Sequence, residues 1–175
     1  MLETLISSKT RINLLLKFFL NPDNTSYLRE LAEEYKESTN GIRVELNKFE
    51  QAGMLSSTIE GNRKVFKANK KYQFYDEIRS ILMKYTGIGH IIEQLVQNLG
   101  KLEKVYLSGE YALGRESGII DVVLVGEINQ SYLIKMIEKA EKFVNKKIRY
   151  LVYTNGEFDC DKMAKGMLLL YDAKK

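Results

Sequence analysis

Residues 25–55 read TSYLRELAEEYKESTNGIRVELNKFEQAGML, and residues 61–69 read GNRKVFKAN. Ser26 stands where it can cap a helix whose apolar face is Leu28, Leu31, Ala32 and Tyr35. Ser38 or Thr39 can cap the next helix, which turns Ile42, Leu46 and Phe49 inward and meets a stop at Gly53. MLSSTIE and KVFKA then flank Glu60-Gly61-Asn62-Arg63, a hairpin-length connection with a glycine in it. Two short helices joined by a tight turn, followed by a basic hairpin, are the expectation from which the rest is read.

Upstream, Ile12, Leu15, Leu16 and Phe19 recur at helical spacing, so a helix is predicted over 9–20, ended by the only proline, Pro22. Downstream, Phe74, Ile78, Leu82 and Tyr85 predict a helix over 72–86, whose tyrosines suit packing against a partner subunit or a second domain. Gly87 and Gly89 then punctuate the chain. Beyond them, Ile88, Ile91, Ile92, Leu95 and Leu99 give an amphipathic helix stopped by Gly100. The pattern next becomes mixed. LEKVYLS, IIDVVLV, KIRYLVYT and MLLLY read as strands, with helices over 130–145 and 157–166. The expected class is α+β, with one domain at 1–86 and a small mixed α/β domain at 87–175. No repeat or low-complexity segment interrupts either.

Composition narrows the function. The 175 residues carry 27 Lys+Arg and 23 Asp+Glu, a net +4. Residues 1–86 hold a net +3 of this, and residues 61–71 contain five bases and no acid. No apolar run approaches the ~20 residues of a membrane helix, and the amino terminus lacks a signal-peptide pattern. A cytoplasmic protein without membrane contact is expected. A single cysteine, Cys160, and a single histidine, His90, exclude a disulfide framework and argue against a zinc site or any metal cofactor. Cys160 lies among acids that would raise its pKa, and His90 begins a helix as a half-exposed residue without catalytic partners. The methionines read as core filler.

On the second helix of the pair, Thr39, Asn40, Arg43 and Asn47 are not needed for the core; Thr39, Arg43 and Asn47 recur every four residues and share a face. An α-helix fits the major groove of DNA, and Arg63 and Lys64 at the hairpin tip would reach phosphates alongside. Glu37 and Glu45 oppose close approach to a polyanion, and Gly41 costs the helix about 1 kcal/mol relative to alanine. The whole stretch, about residues 7–86, resembles the winged helix-turn-helix of ArsR-like and MarR-like bacterial regulators, with Leu28, Leu31, Ala32, Leu46, Gly53, Met54 and Leu55 in its core and turn positions. The resemblance implies binding of double-stranded DNA as a homodimer. Its metal-sensing members use cysteine or histidine, and neither occurs in residues 1–86, so metal sensing does not carry over.

VYLSGEYALGRESGIIDVVLVG, residues 105–126, resembles the signature of DNA polymerase β-type nucleotidyltransferases. The resemblance implies a strand, a Gly-Ser turn that approaches phosphates, and a strand whose Asp-x-Asp holds Mg²⁺ against a triphosphate. Gly109, Gly114 and Asp121 match; Ile119 replaces the first carboxylate, Glu110 the serine, and Arg149 falls where a third acid is usual. One carboxylate makes a poor Mg²⁺ site, so no catalytic residue is expected and the site is vestigial. Its residues are Gly109, Glu110, Gly114, Arg115 and Asp121. Asp121 could cap the neighbouring helix or pair with Arg115; Glu110 and Asp121 could form a rearranged metal site. The cleft could also hold a nucleotide or small-molecule effector, with Arg115 and Arg149 as phosphate contacts. The expected function is a DNA-binding transcriptional regulator, against the alternatives of an active Mg²⁺-dependent nucleotidyltransferase or an antitoxin-like partner protein.

Overall fold

The computed structural model describes residues 2–99, 101–164 and 166–174, and the chain divides into two compact units, Met1–Leu82 and Met83–Lys175. The division falls inside a helix rather than at Gly87.

In the first unit α1 (Leu2–Leu5) precedes α2 (Lys9–Leu15), which Ser8 caps by accepting from the Arg11 N–H. The chain continues into a π-helical turn, Leu16–Leu20, so the helix predicted over 9–20 is present with a changed last turn. Leu16, Phe18, Phe19 and Leu20 there are all fully buried. Lys17 is buried with them, and its ammonium meets Glu34 at 2.9 Å. Such burial is tolerated because each charge is the other's partner.

Ser26 does not cap the next helix. It lies in a short strand, β1 (Thr25–Tyr27), and its buried hydroxyl donates to Glu30 at 2.7 Å. Tyr27 is the N-cap of α3 (Leu28–Tyr35) and makes no side-chain cap bond. Ser38 caps α4 (Thr39–Gln51) by accepting from the Gly41 N–H. At its end Gly53 adopts φ +73°; its N–H donates to the Glu50 carbonyl and that of Met54 to Phe49. This paired closure requires a residue tolerant of positive φ. Strands β2 (Leu55–Glu60) and β3 (Arg63–Ala68) form the hairpin, turning at Gly61 with φ +60°. Strand β1 adds to β3, giving the order β1-β3-β2, all antiparallel.

Helix α5 (Tyr75–Thr86) starts three residues later than predicted. Tyr75 is buried and packs on Phe19, ring centres 5.7 Å apart, whereas Phe74, expected inside, is exposed.

In the second unit Gly87, at φ +82°, separates α5 from α6 (Ile88–Asn98); a Cβ there would lie 2.5 Å from Val144. The expected stop at Gly100 falls outside the described residues. Then follow β4 (Lys101–Ser108), α7 (Gly109–Ala112), β5 (Ile119–Glu127), α8 (Gln130–Val144), β6 (Lys147–Tyr153), α9 (Cys160–Met163) and β7 (Leu168–Asp172). The sheet order is β6-β5-β4-β7, with β5 and β6 parallel and the other neighbours antiparallel. The parallel pair is joined through α8, as a crossover requires. Alternation divides the strands. Tyr106, Val123 and Val125 meet Phe158, Met167 and Leu169 on one face, while α6 and α8 pack against β4 and β6. The molecule is α+β. Among the described residues no helix is long and apolar enough to cross a membrane.

Candidate functional site

Two places carry the sequence-predicted residues, one in each unit. In the first, α4 buries Ile42, Leu46 and Phe49 and leaves Thr39, Asn40, Arg43 and Asn47 exposed. The face expected outward therefore lies outward, and neither Arg43 nor Asn47 has an ion pair among the described residues. The two acids that opposed a polyanion are turned aside. Glu45 is engaged by Arg11 (Nε to Oε2, 2.5 Å) and Lys48 (3.1 Å), and its side chain is only 13 % exposed. The Arg11 hydrogen bond holds the Glu45 carboxyl below the usual carboxylate range. Glu37 accepts the Thr10 hydroxyl at 2.6 and 2.8 Å. Helix α2 thus engages both carboxylates, Glu37 through a hydroxyl and Glu45 through a guanidinium.

The hairpin cations are less free than the sequence implies. The Arg63 guanidinium lies 4.6 Å from the centre of the Tyr27 ring. Lys64 pairs with Glu50 at 2.6 Å, and Glu50 also accepts from Ser57. Lys64 and Ser57 hold the Glu50 carboxyl below its ordinary range. Lys70 pairs with Asp23 at 2.8 Å. Lys67 on β3, Lys71 just beyond it, and Arg29 on α3 are exposed and have no ion pair among the described residues. Lys67 and Lys71 belong to the basic block already visible in the sequence. Arg29 was not singled out in the sequence; it lies in the first turn of α3, directly after strand β1.

In the second unit β4 ends at Ser108, whose register partner on β5 is Asp121; Asp121 in turn faces Arg149 on β6. Gly109 at φ +63° lies so close that an added Cβ would stand 2.3 Å from Asp121 Oδ2. Among the described residues Asp121 is held by Arg149 rather than standing at a helix cap. Arg149 takes both of its oxygens, Nε to Oδ1 at 2.6 Å and Nη2 to Oδ2 at 3.0 Å. Arg115 instead approaches the exposed Glu110 at 3.6 Å, and its backbone N–H donates to the Glu110 carbonyl. Gly114, at φ +75°, closes the α7 turn through its N–H to the Tyr111 carbonyl. A cavity of about 520 Å³ opens here, lined by Ser108, Asp121, Ile148, Arg149, Tyr150 and Leu151.

The donor set decides what this cavity can hold. Mg²⁺ needs several hard oxygen ligands, and both oxygens of Asp121 already accept from the Arg149 guanidinium. Ile119 offers no oxygen donor on its side chain. Among the described residues no group of three or more His, Cys, Asp or Glu is placed to hold a metal. The residues present do not fit a divalent ion.

His90 is the third residue of α6, half-buried, and stacks on Phe143 with ring centres 3.9 Å apart. Cys160 is exposed, and its closest polar contacts are Tyr106 Oη at 2.9 Å and Lys104 Nζ at 3.7 Å rather than the neighbouring acids. Burial, then the thiol, push the Tyr106 phenol upward.

No protein-family model and no curated protein matches this chain. Solved structures that resemble part of it include a mutant of the toxin–antitoxin MntA-HpeT, at 17% identity over 50% of this chain and 73% of that one, with a TM-score of 0.40. Another holds the tri-AMPylated Shewanella oneidensis HEPN toxin in complex with MNT antitoxin, at 16% identity, covering 50% and 71% with a TM-score of 0.38. A nucleotidyltransferase-type protein from Sulfolobus solfataricus matches at 23% identity, covering 56% and 88% with a TM-score of 0.38.

Proposed function

We propose that the first unit is a winged helix-turn-helix that binds duplex DNA, and that the second is a nucleotidyltransferase-type domain without transfer activity, so that the chain acts as a DNA-binding regulator. The observation that carries this reading is the α4 edge. Thr39, Arg43 and Asn47 stand exposed along it while Glu37 and Glu45 are held back by Thr10 and Arg11. Arg43 and Asn47 have the donor geometry to read base edges. Arg63, Lys67 and Lys71 meet phosphates. Lys64 contributes less, because Glu50 already neutralises it. The Asp121–Arg149 pair supports the silent cleft: a guanidinium of the chain itself engages both oxygens of the carboxylate that a metal would need.

Fluorescence-anisotropy titration against genomic fragments tests the reading at low and moderate salt. Binding is expected, with affinity falling linearly in log–log form as salt rises. Arg43→Ala is expected to weaken a selected sequence about 10- to 100-fold while sparing random duplex, and Lys67→Ala to weaken both alike. No binding at low salt overturns the proposal, as does an equal effect of the two variants on all sequences.

A second reading, an antitoxin-like partner protein or a working nucleotidyltransferase, draws on the open 520 Å³ cavity and the retained Gly109–Asp121 approach. Incubation with labelled nucleoside triphosphates and Mg²⁺ or Mn²⁺ separates the two. Transfer abolished by Asp121→Ala would establish the second reading and refute the first for this unit.

A further inference from the structure

Leu133, Ile137 and Ala140 turn the inner face of α8 into the core of the second unit. On its outer side Lys135, Lys139 and Lys142 recur at i, i+4 and i+7, so the helical turn sets them in one exposed row about 10 Å long. None of the three has an ion pair among the described residues. Of the acids on α8, Glu138 stands on the outer flank of the row, while Glu141 is taken by Lys147 and the Ile148 N–H. Three cations therefore meet water beside a single unpaired carboxylate. Such a row repels itself and is relieved by a ligand of repeated negative charge.

Beside the row, α6 and α8 enclose a groove of about 370 Å³ that shares no residue with the cavity at Asp121. Lys135 and Lys139 line it, and the His90 imidazole and the Phe143 ring lie face to face in it, centres 3.9 Å apart and planes 28° apart. That contact covers one face of Phe143, yet the residue is 67 % exposed, so its other face is open. His90 thereby backs a flat apolar surface turned to solvent. Tyr132, 44 % exposed, adds a second ring, and the Gln94 carboxamide makes no hydrogen bond among the described residues. Glu93, the acid of α6, is exposed and does not line the groove.

An open ring face, an amide offering both donor and acceptor, and a row of cations suit one chemistry: planar heterocycles joined by phosphates. Stacking accepts any base, and a cationic track follows the backbone. We propose that the α6–α8 groove binds single-stranded nucleic acid. One base stacks on the open face of Phe143, the Gln94 amide meets a base edge, and successive phosphates follow Lys135, Lys139 and Lys142. A free mononucleotide reaches only part of that row. A duplex keeps its base faces stacked internally and has none to offer Phe143. The groove belongs to the second unit and α4 to the first, so this site and the duplex reading fail separately.

The single histidine makes the test local, since His90 gives the only imidazole signals of the chain. The full chain is titrated with a short oligodeoxyadenylate and followed by proton NMR in heavy water. A saturable shift of the His90 signals is expected, whereas a duplex of the same sequence, adenosine monophosphate and polyglutamate leave them in place at equal concentration. Two variants at exposed positions, each checked for native circular dichroism, divide stacking from charge. Phe143→Ala should weaken the oligonucleotide about 10-fold with an unchanged salt slope. Lys135→Gln/Lys139→Gln should lower the slope by about 1.4, at about 0.7 for each lost phosphate contact. An oligonucleotide that leaves His90 unmoved overturns the proposal. So does an equal response to duplex, mononucleotide or polyglutamate, or a Phe143→Ala chain that binds as the parent does.

Discussion

Replacing Lys17 with methionine tests how the first unit is held together. Methionine keeps the length and apolar stem but removes the ammonium 2.9 Å from Glu34. Both side chains are under a tenth exposed, 6% and 9%, so water cannot take over the lost charge. Breaking a buried pair from one side costs roughly 3–5 kcal/mol when the remaining ion loses its compensation. The lower end is expected here, since Glu34 keeps a further interaction of its own when the ammonium is removed. Urea unfolding followed by circular dichroism at neutral pH should therefore show about 3 kcal/mol lost in Lys17→Met. The double variant Lys17→Met/Glu34→Leu supplies the counter-check: two apolar groups of similar volume should recover most of the loss, since a buried pair is seldom better than a well-packed apolar one. A single variant losing less than about 1 kcal/mol, or a double variant no better than the single, would refute the account of Lys17 as a charge tolerated only through its partner.

Gly109→Ala should be clearly worse than Gly53→Ala, although both glycines have positive φ. At Gly53 nothing lies within 4 Å of an added Cβ, so only the backbone penalty of about 1 kcal/mol applies; at Gly109 the Cβ collides with Asp121 and displaces its carboxylate. Equal thermal shifts for the two would contradict the close approach. Arg11→Ala should cost under about 1 kcal/mol at pH 7, since Arg11 is 41% exposed. The Glu45 carboxyl is held low by Arg11 in the folded chain, so this stabilisation is present above the unfolded value near 4.3 and fades as pH falls through the folded one. The deficit of Arg11→Ala measured by urea midpoint should hence shrink below pH 4; a deficit constant from pH 7 to pH 3 would contradict it.

The legible features were those written in neighbouring residues. Ser38 three residues before the Gly41 N–H, Gly53 after a helix, and Gly61 between two β-rich runs are local devices, and each acts at the position the sequence indicates. IIDVVLV announced a buried strand because one apolar run of β-branched residues suits a sheet covered on both faces. What stayed hidden depends on distant partners. TSY has no strand signal of its own, and β1 exists because β3 offers it an edge. That pairing turns Ser26 inward and takes it from the cap it was expected to form. Phe74 looked like a core residue by spacing, as Leu82 did; α5 buries Leu82 as expected but takes Tyr75 in place of Phe74. Arg149 was expected at the site of Asp121, but their direct pairing across 28 residues follows from the register of two parallel strands.

That pairing also constrains what the chain can become. A carboxylate whose side chain is only 16% exposed has come to depend on one guanidinium for its compensation. Discarding the arginine first would leave an anion with poor hydration, and installing a new acid at Ile119 first would crowd a second negative charge beside it. Each of these two single-residue routes toward a metal-binding cleft therefore passes through a carboxylate that has lost its counter-charge or gained a like-charged neighbour.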